Sequence, residues 1–383
     1  MSSSERNGQP GTLFGELLRQ RRLTAEEFSR QADRFARQHG LKATLSPRHV
    51  QRLASGVRAD GRPLGPPRPV TCRLLEEMFS LPIARLLEPA QSPLSALSGD
   101  LELQARVAAG RNIDEQTVRL FQHQLDITRV IDRRLGAPAL LGQLRSQIDQ
   151  MDAVLDDVLD EVVQQRLAAV LVDASALAGW QSLDQGQTSD AWSHYSKAIR
   201  VARHAKSAAL EAYARAGQAV VLLDIGETQA AVDLTRHART SAKGRVPDLL
   251  FSWLSAGYGE ACAANGERLK SMQAFDDAER FVPSTDNGET PYLVFDSTHL
   301  SRWRGNALAR LGAREAIDVL SDVLVRLDSS FTRAETTLRI DLAQVFTATG
   351  EKDAAAAHME RARLLAAQVG SVRQRKRLAA LVG

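Results

Sequence analysis

The sequence predicts an all-α protein in which a small domain of short helices precedes a long stack of helical hairpins. Three observations predict it. No segment alternates apolar and polar residues between turn residues, so no strand is required. Apolar positions instead recur at threes and fours, as in Leu120, Phe121, Leu125, Ile127, Ile131 and Leu135, until Gly136 and Pro138 interrupt them. Past residue 165 a glycine returns at spacings of 40, 40, 46 and 38, each time followed by the same order of small and bulky residues.

Composition narrows the function classes. Of the 383 residues 25% are charged and 44% hydrophobic, the balance of a globular chain and not of a polyelectrolyte or a membrane bundle. The longest aliphatic run, Leu167 to Val172, falls far short of the ~20 residues a membrane helix needs. The first ten residues carry no apolar stretch, so a cytoplasmic protein without a secretory leader is expected. Cys72 and Cys262 stand alone in helical contexts, without a CxxC or a neighbouring histidine pair, and neither a disulfide framework nor a metal site is expected. The net charge of +3 hides an asymmetry: residues 1–89 hold 15 basic and 9 acidic side chains, and the remainder 34 and 37. The basic excess belongs to the front.

Residues 1–11 read as a disordered N-terminus, and 12–89 as a domain of short helices closed by the loop Pro89-Ala-Gln-Ser-Pro93. A helix around Leu17 is followed by Thr24 with Glu27 three residues later, a capping box that opens a second helix. In Leu45-Ser-Pro-Arg-His-Val-Gln-Arg-Leu-Ala-Ser-Gly56, Ser46 is an N-cap, Pro47 suits the first turn and Gly56 ends the helix. Val50 and Leu53 share its inner face, which leaves Arg48, His49, Gln51 and Arg52 outward. Two guanidiniums one turn apart on a short exposed helix suit a DNA major groove, where each can bind guanine O6 and N7 together.

The order Leu23-Thr-Ala-Glu-Glu-Phe28, then Leu45 to Gly56, then Leu74-Leu-Glu-Glu-Met-Phe-Ser-Leu-Pro-Ile-Ala-Arg-Leu-Leu87 resembles the xenobiotic-response-element and lambda-repressor-like helix-turn-helix regulators. It departs from them at Ala25 and Ala54, and in a long joint between Ser29 and Thr44. The resemblance implies double-stranded DNA, a palindromic operator and a homodimer. Arg48 and Arg52 would read bases, with His49 and Gln51 as secondary contacts; Ser46, Arg58 and Arg62 would sit on phosphates.

Residues 100–164 read as a helical linker or first hairpin, with a second long helix over roughly 139–161. The repeat follows over 165–383. Gly186 is followed by Ala191, Tyr195 and Ala198; Gly226 by Ala231, Thr235 and Ala238; Gly266 by Ser271, Phe275 and Ala278; Gly350 by Ala355, Met359 and Ala362. Gly312 starts the same series one residue short, with Ala316, Leu320 and Val323. Each glycine ends the first helix of a hairpin in a left-handed cap. The small residue lets the second helix approach, and the bulky one fills the seam. Seven positions before each repeat glycine stand Gly179, Ala219, Gly259, Gly305 and Ala343, again small.

This pattern resembles tetratricopeptide repeats, at spacings longer than the usual ~34. Joined to the front domain, it is similar to actinobacterial regulators of the same two-part plan. The expected architecture is all-α: an N-terminal helix-turn-helix domain, a helical linker region and a tetratricopeptide-like α-solenoid. First-helix residues facing the concave wall would be Trp180, Tyr213, Trp253, Glu260, His299, Arg302, Asn306 and Gln344, and they would bind a peptide or small signalling ligand. Asn306 would clamp a peptide backbone, since an amide both donates and accepts.

Catalytic constellations are scarce. Gly257-Tyr-Gly259 lacks a third glycine and a preceding strand, and GxxxxGK[ST], HExxH and GxSxG do not occur. Asp156, Asp157, Asp160 and Glu161 read as a charged helix face. No enzyme and no cofactor are expected. The alternative to a DNA-binding regulator is a repeat scaffold for proteins, with a front module that does not read DNA.

Overall fold

The computed structural model describes residues 11–21, 23–41, 43–57, 64–65, 67–79, 81–88, 94–283 and 292–381. Among them are nineteen α-helices, one short 3-10 turn and no β-strand. The chain divides into two compact units, Met1–Ala105 and Arg106–Gly383, with the division inside α6 (Leu94–Arg111).

The front unit contains α1 (Leu13–Gln20), α2 (Ala25–Gln38), α3 (Pro47–Ser55), α4 (Pro69–Phe79) and the single turn α5 (Ile83–Leu86). The capping box forms as its sequence predicts: Glu27 N donates to the Thr24 hydroxyl, and Thr24 N to the Glu27 carboxylate at 2.8 Å. Phe14, Phe28, Val50, Leu53, Leu74, Leu75 and Leu86 are fully buried. Phe14 meets Phe28 and Phe79 edge-on at 5.3 and 5.6 Å. Burial of each such side chain contributes about 1.5–3 kcal/mol, and it sets helices too short to persist alone. The joint between α1 and α3 is closer than side chains allow. A Cβ on Gly15 would lie 2.5 Å from the Ala54 carbonyl oxygen, while the Thr12 hydroxyl donates to Leu53 O at 2.6 Å.

In the back unit, α7 (Glu115–Leu135), the 3-10 turn Ala137–Ala139 and α8 (Leu141–Leu155) precede the repeats. The apolar pattern around residue 101 does not continue unbroken into α7. Asp114 accepts from Thr117 N at 2.7 Å and starts a new helix, so the run divides at residues 112–114. Nor is the acidic cluster a helix face. Asp160 N-caps the next helix, and Asp157 is gripped by both ends of the Arg106 guanidinium at 2.7 and 2.9 Å.

Five hairpins follow: α9 (Glu161–Asp184) with α10 (Thr188–Val201), α11 (Ala208–Asp224) with α12 (Thr228–Ala242), α13 (Asp248–Ala264) with α14 (Arg268–Arg280), α15 (Ser297–Arg310) with α16 (Ala316–Arg326), and α17 (Thr332–Thr349) with α18 (Lys352–Gln368). The last helix is α19 (Val372–Ala380). Gly186, Gly226, Gly266, Gly312 and Gly350 turn the hairpins with φ between 68° and 85°, a region where a β-carbon is strained. The protein is thus a tetratricopeptide-like helical repeat. Its seams are filled as the repeat predicts: Tyr195 is wedged between Gly179 and Gly217, whose missing β-carbons would lie 2.8 and 2.4 Å from its ring. Phe275 stands against Gly259 and Leu320 against Gly305 in the same way.

The two ends of the repeat stack meet. Arg333 at the start of α17 donates to the Asp132 carbonyl oxygen at 2.6 Å and pairs with the Asp132 carboxylate in α7; its Nε also lies 4.0 Å from the Asp184 carboxylate. Ser371 donates to Asp184 at 2.6 Å, and Gln185 to Gly370 O at 3.1 Å. Arg373 grips Asp224 with distances of 2.6–2.9 Å. At the closing point backbones nearly touch: a Cβ on Gly136 would lie 2.1 Å from Val369 O.

Two changes test this packing. Gly217→Ala drives a methyl into the buried Tyr195 ring and should lower stability in urea by about 1–3 kcal/mol; no loss would mean that the seam is loose. Arg333→Gln leaves the Asp132 carboxylate buried without its cation and should cost about 3–5 kcal/mol in the same measurement.

Candidate functional site

In the front unit, α3 is held by its inner face and free on its outer one. Ser46 takes an extended conformation (φ −68°, ψ 152°) and its hydroxyl accepts from His49 N at 3.3 Å, Pro47 fills the first position, and Gly56 ends the helix at φ 71°. Val50 and Leu53 are buried, and Ser46, Arg48, Gln51 and Arg52 are exposed. Neither Arg48 nor Arg52 forms an ion pair among the described residues. His49 is half-buried; burial holds its imidazole below the usual value, and the Arg52 and Arg68 cations add to the effect. Arg58 and Arg62 lie outside the described residues.

Sequence reasoning passed over Arg68, exposed beside this helix, and Arg30, Arg34 and Arg37, exposed along α2. The spacing of four and three in the last set was the available signal.

In the back unit the concave wall encloses a cavity of about 310 Å³. Five of the eight predicted ligand residues line it: Trp180, Tyr213, Trp253, His299 and Arg302. Glu260, Asn306 and Gln344 do not. The Asn306 amide is engaged inside the fold, donating to Asp341 at 2.7 Å and accepting from Arg310 at 3.2 Å. Gln344 is half-buried on α17, and Glu260 acts on Arg302 through its charge.

Aromatic rings run along one side in continuous contact. Tyr292 meets Tyr213 at 4.8 Å, Tyr213 meets Trp253 at 5.3 Å, and Trp253 meets Trp303 at 5.9 Å. Burial, together with the nearby Asp173 carboxylate, pushes both tyrosine phenols well up, so they stay neutral donors. Phe331 is shared by two polar groups: the Arg133 guanidinium lies 5.5 Å from its ring, and His299 meets it edge-on at 4.9 Å. Arg133, Tyr292, Trp303 and Phe331 escaped the repeat argument because they lie off its register or outside the repeated hairpins.

Electrostatically the wall is uneven. Arg129 pairs with Asp173 and with Asp126 (3.3 Å), and Arg333 with Asp132. Burial drives the Asp173 carboxyl up, opposed by Arg129. Among the described residues Arg302 has no partner within hydrogen-bond or ion-pair reach, and its Nε is shielded from water. Burial lowers its pKa, opposed by the charges of Glu260 and Asp341. His299 Nδ1 donates to the Asp296 carboxylate at 2.9 Å.

No family model matches the chain, and neither does any curated protein. Solved structures give distant likenesses. A Rap protein complexed with competence and sporulation factor aligns over 83% of this chain and 90% of its own, at 14% identity and TM-score 0.43. The nearly identical TPR-like repeats of a Podosopora anserina putative kinesin light chain align over 52% of this chain and 97% of their own, at 16% identity and TM-score 0.35. The repeat architecture rests on this chain's own glycine turns and seams. No described helix is long and apolar enough to cross a membrane.

The His299 environment makes a pH prediction. Burial holds its imidazole below the usual 6.5; the Asp296 hydrogen bond opposes this, and Arg302 and Arg133 add to it. As pH falls through about 6.5 the unfolded chain takes up that proton first, so stability is full above this pH and declines below it. His299→Gln should therefore show a smaller drop in urea midpoint than the wild type between about pH 7.5 and 5.5.

Proposed function

We propose that the chain is a DNA-binding transcription regulator: α2 and α3 act as a helix-turn-helix that reads double-stranded DNA, and the repeat unit binds a signal. The outer face of α3 carries the reading. Arg48 and Arg52 are exposed, one turn apart and without an ion pair among the described residues, on a helix capped at both ends and anchored by Val50 and Leu53. A guanidinium already neutralised within its own fold would be less available to a base edge. Among the described residues these two are uncommitted.

In this role Arg48 and Arg52 contact guanine edges, and Gln51 and His49 stand beside them. Ser46 offers the helix N-terminus to a phosphate. Arg30, Arg34 and Arg37 on α2 supply further charge for the backbone, as do Arg58 and Arg62 by the family resemblance. A second copy completes a palindromic site. Leu120, Ile127 and Val130 support a dimer: they are 62%, 45% and 49% exposed on the side of α7 turned away from Val118 and Leu125.

Selection of bound duplexes from a randomised DNA pool tests the reading. The full chain should enrich an inverted repeat, with affinity that falls steeply as salt rises. Arg52→Ala should cost about 1–3 kcal/mol on the enriched site and little on random DNA. Equal losses on both, or no enrichment at low salt, would leave the repeat scaffold as the better description.

A further inference from the structure

Four arginines line the cavity, and their pairing divides them. Arg129 and Arg333 are neutralised by Asp173 and Asp132 inside the fold. Arg302 and Arg133 are not: among the described residues neither makes an ion pair or a hydrogen bond, and Arg302 Nε is withdrawn from water with no acceptor there. A half-buried guanidinium whose Nε is shut off from water without an acceptor is unfavourable in the empty protein. It marks the place where an anion would be bound most strongly.

The rest of the wall describes the body of that anion. Tyr292, Tyr213, Trp253 and Trp303 are aromatic faces in continuous succession, and Trp180 lines the same wall. At about 310 Å³ the cavity is at the lower end of small-molecule sites, roughly 300–1,000 Å³, which suits a fused-ring compound and is short for an extended peptide. Glu260 and Asp341 are close enough to Arg302 to act on it, which opposes a second negative charge on the ligand. We propose that the cavity binds a small aromatic monocarboxylate, with its carboxylate between Arg302 and Arg133 and its ring against Trp253 and Trp303. The planar guanidinium fork matches a carboxylate in two parallel hydrogen bonds, and the rings stack on a flat body. This deepens the sensing half of the function proposed above and does not depend on the DNA half.

Calorimetric titration of the full chain without DNA tests it, using 2-naphthoate, its neutral isostere 2-naphthamide, and 2-naphthyl phosphate as probes. The carboxylate should bind at least about tenfold more tightly than the amide, as expected for a charge-assisted hydrogen bond. Arg302→Gln should erase that preference and leave the weaker amide binding intact. Its thermal midpoint in the unliganded protein should stay level or rise, because the change removes an unpaired charge; a merely structural arginine would lower it. Should that variant fail to fold, Arg133→Gln carries the same comparison of acid with amide. Equal binding of acid and amide, tighter binding of the phosphate, or no binding of any probe would overturn the proposal. DNA selection with the same preparation reports on the DNA reading separately, so the failure of either is read without the other.

Discussion

The repeat unit depends on the contact between Arg333 and the two buried carboxylates Asp132 and Asp184. A stack of helical hairpins has no intrinsic reason to close, because each repeat contacts its neighbours and the ends are ordinarily capped by polar faces. Here α17 and the segment leading into α19 return to α7 and the end of α9, so the first and last elements share one polar core. Gly136 and Gly370 permit the approach, since a β-carbon on either would run into Val369 O or the Pro138 ring. Buried ion pairs add little net stability but tolerate few alternative arrangements. In this fold they fix where the two ends meet.

The cavity follows from that closure. Most of its aromatic wall comes from first helices of the hairpins, which face the inside of any such superhelix. Arg133 and Phe331 come from opposite ends of the stack, α7 and the approach to α17, and they face one another because the ends have joined. The same closure sorts the cations. Arg333 is consumed by the join, while Arg302 and Arg133 have no ion pair among the described residues.

The front unit solves a different problem, holding very short helices rigidly enough to present charged side chains. It does so with a cluster of Phe14, Phe28 and Phe79 and with the close approach of Gly15 to Ala54, which ties α1 to the C-terminal end of α3. The outer surface is then left to arginine. Two of the fifteen basic side chains of residues 1–89, Arg48 and Arg52, stand on the outer face of α3, which carries no carboxylate of its own.

Much of this could be read in advance. Thr24 with Glu27, Ser46 with Pro47 and Gly56, and the five turn glycines were legible because a cap or a left-handed turn is settled by a few adjacent residues. The fit of Tyr195 against Gly179 was legible through periodicity, since one seam repeats the next; Gly217, on the other side of the ring, lies off that register. The stripe on α7 was not: Leu120, Ile127 and Leu135 are exposed, whereas Thr128 and Asp132 are buried. Asp132 is buried for the sake of Arg333, 201 residues away. Asn306 likewise finds its partner Asp341 in another hairpin and does not reach the cavity. The sequence by itself determined the all-α class, the caps of α2 and α3 and the pairing of the repeat helices into hairpins at the five glycines, because those depend on backbone torsions and hydrogen bonds within a few residues. Only the tertiary structure decided that the stack closes and which arginines remain unpaired, because charge pairing is set by distances in space between segments that no sequence period relates.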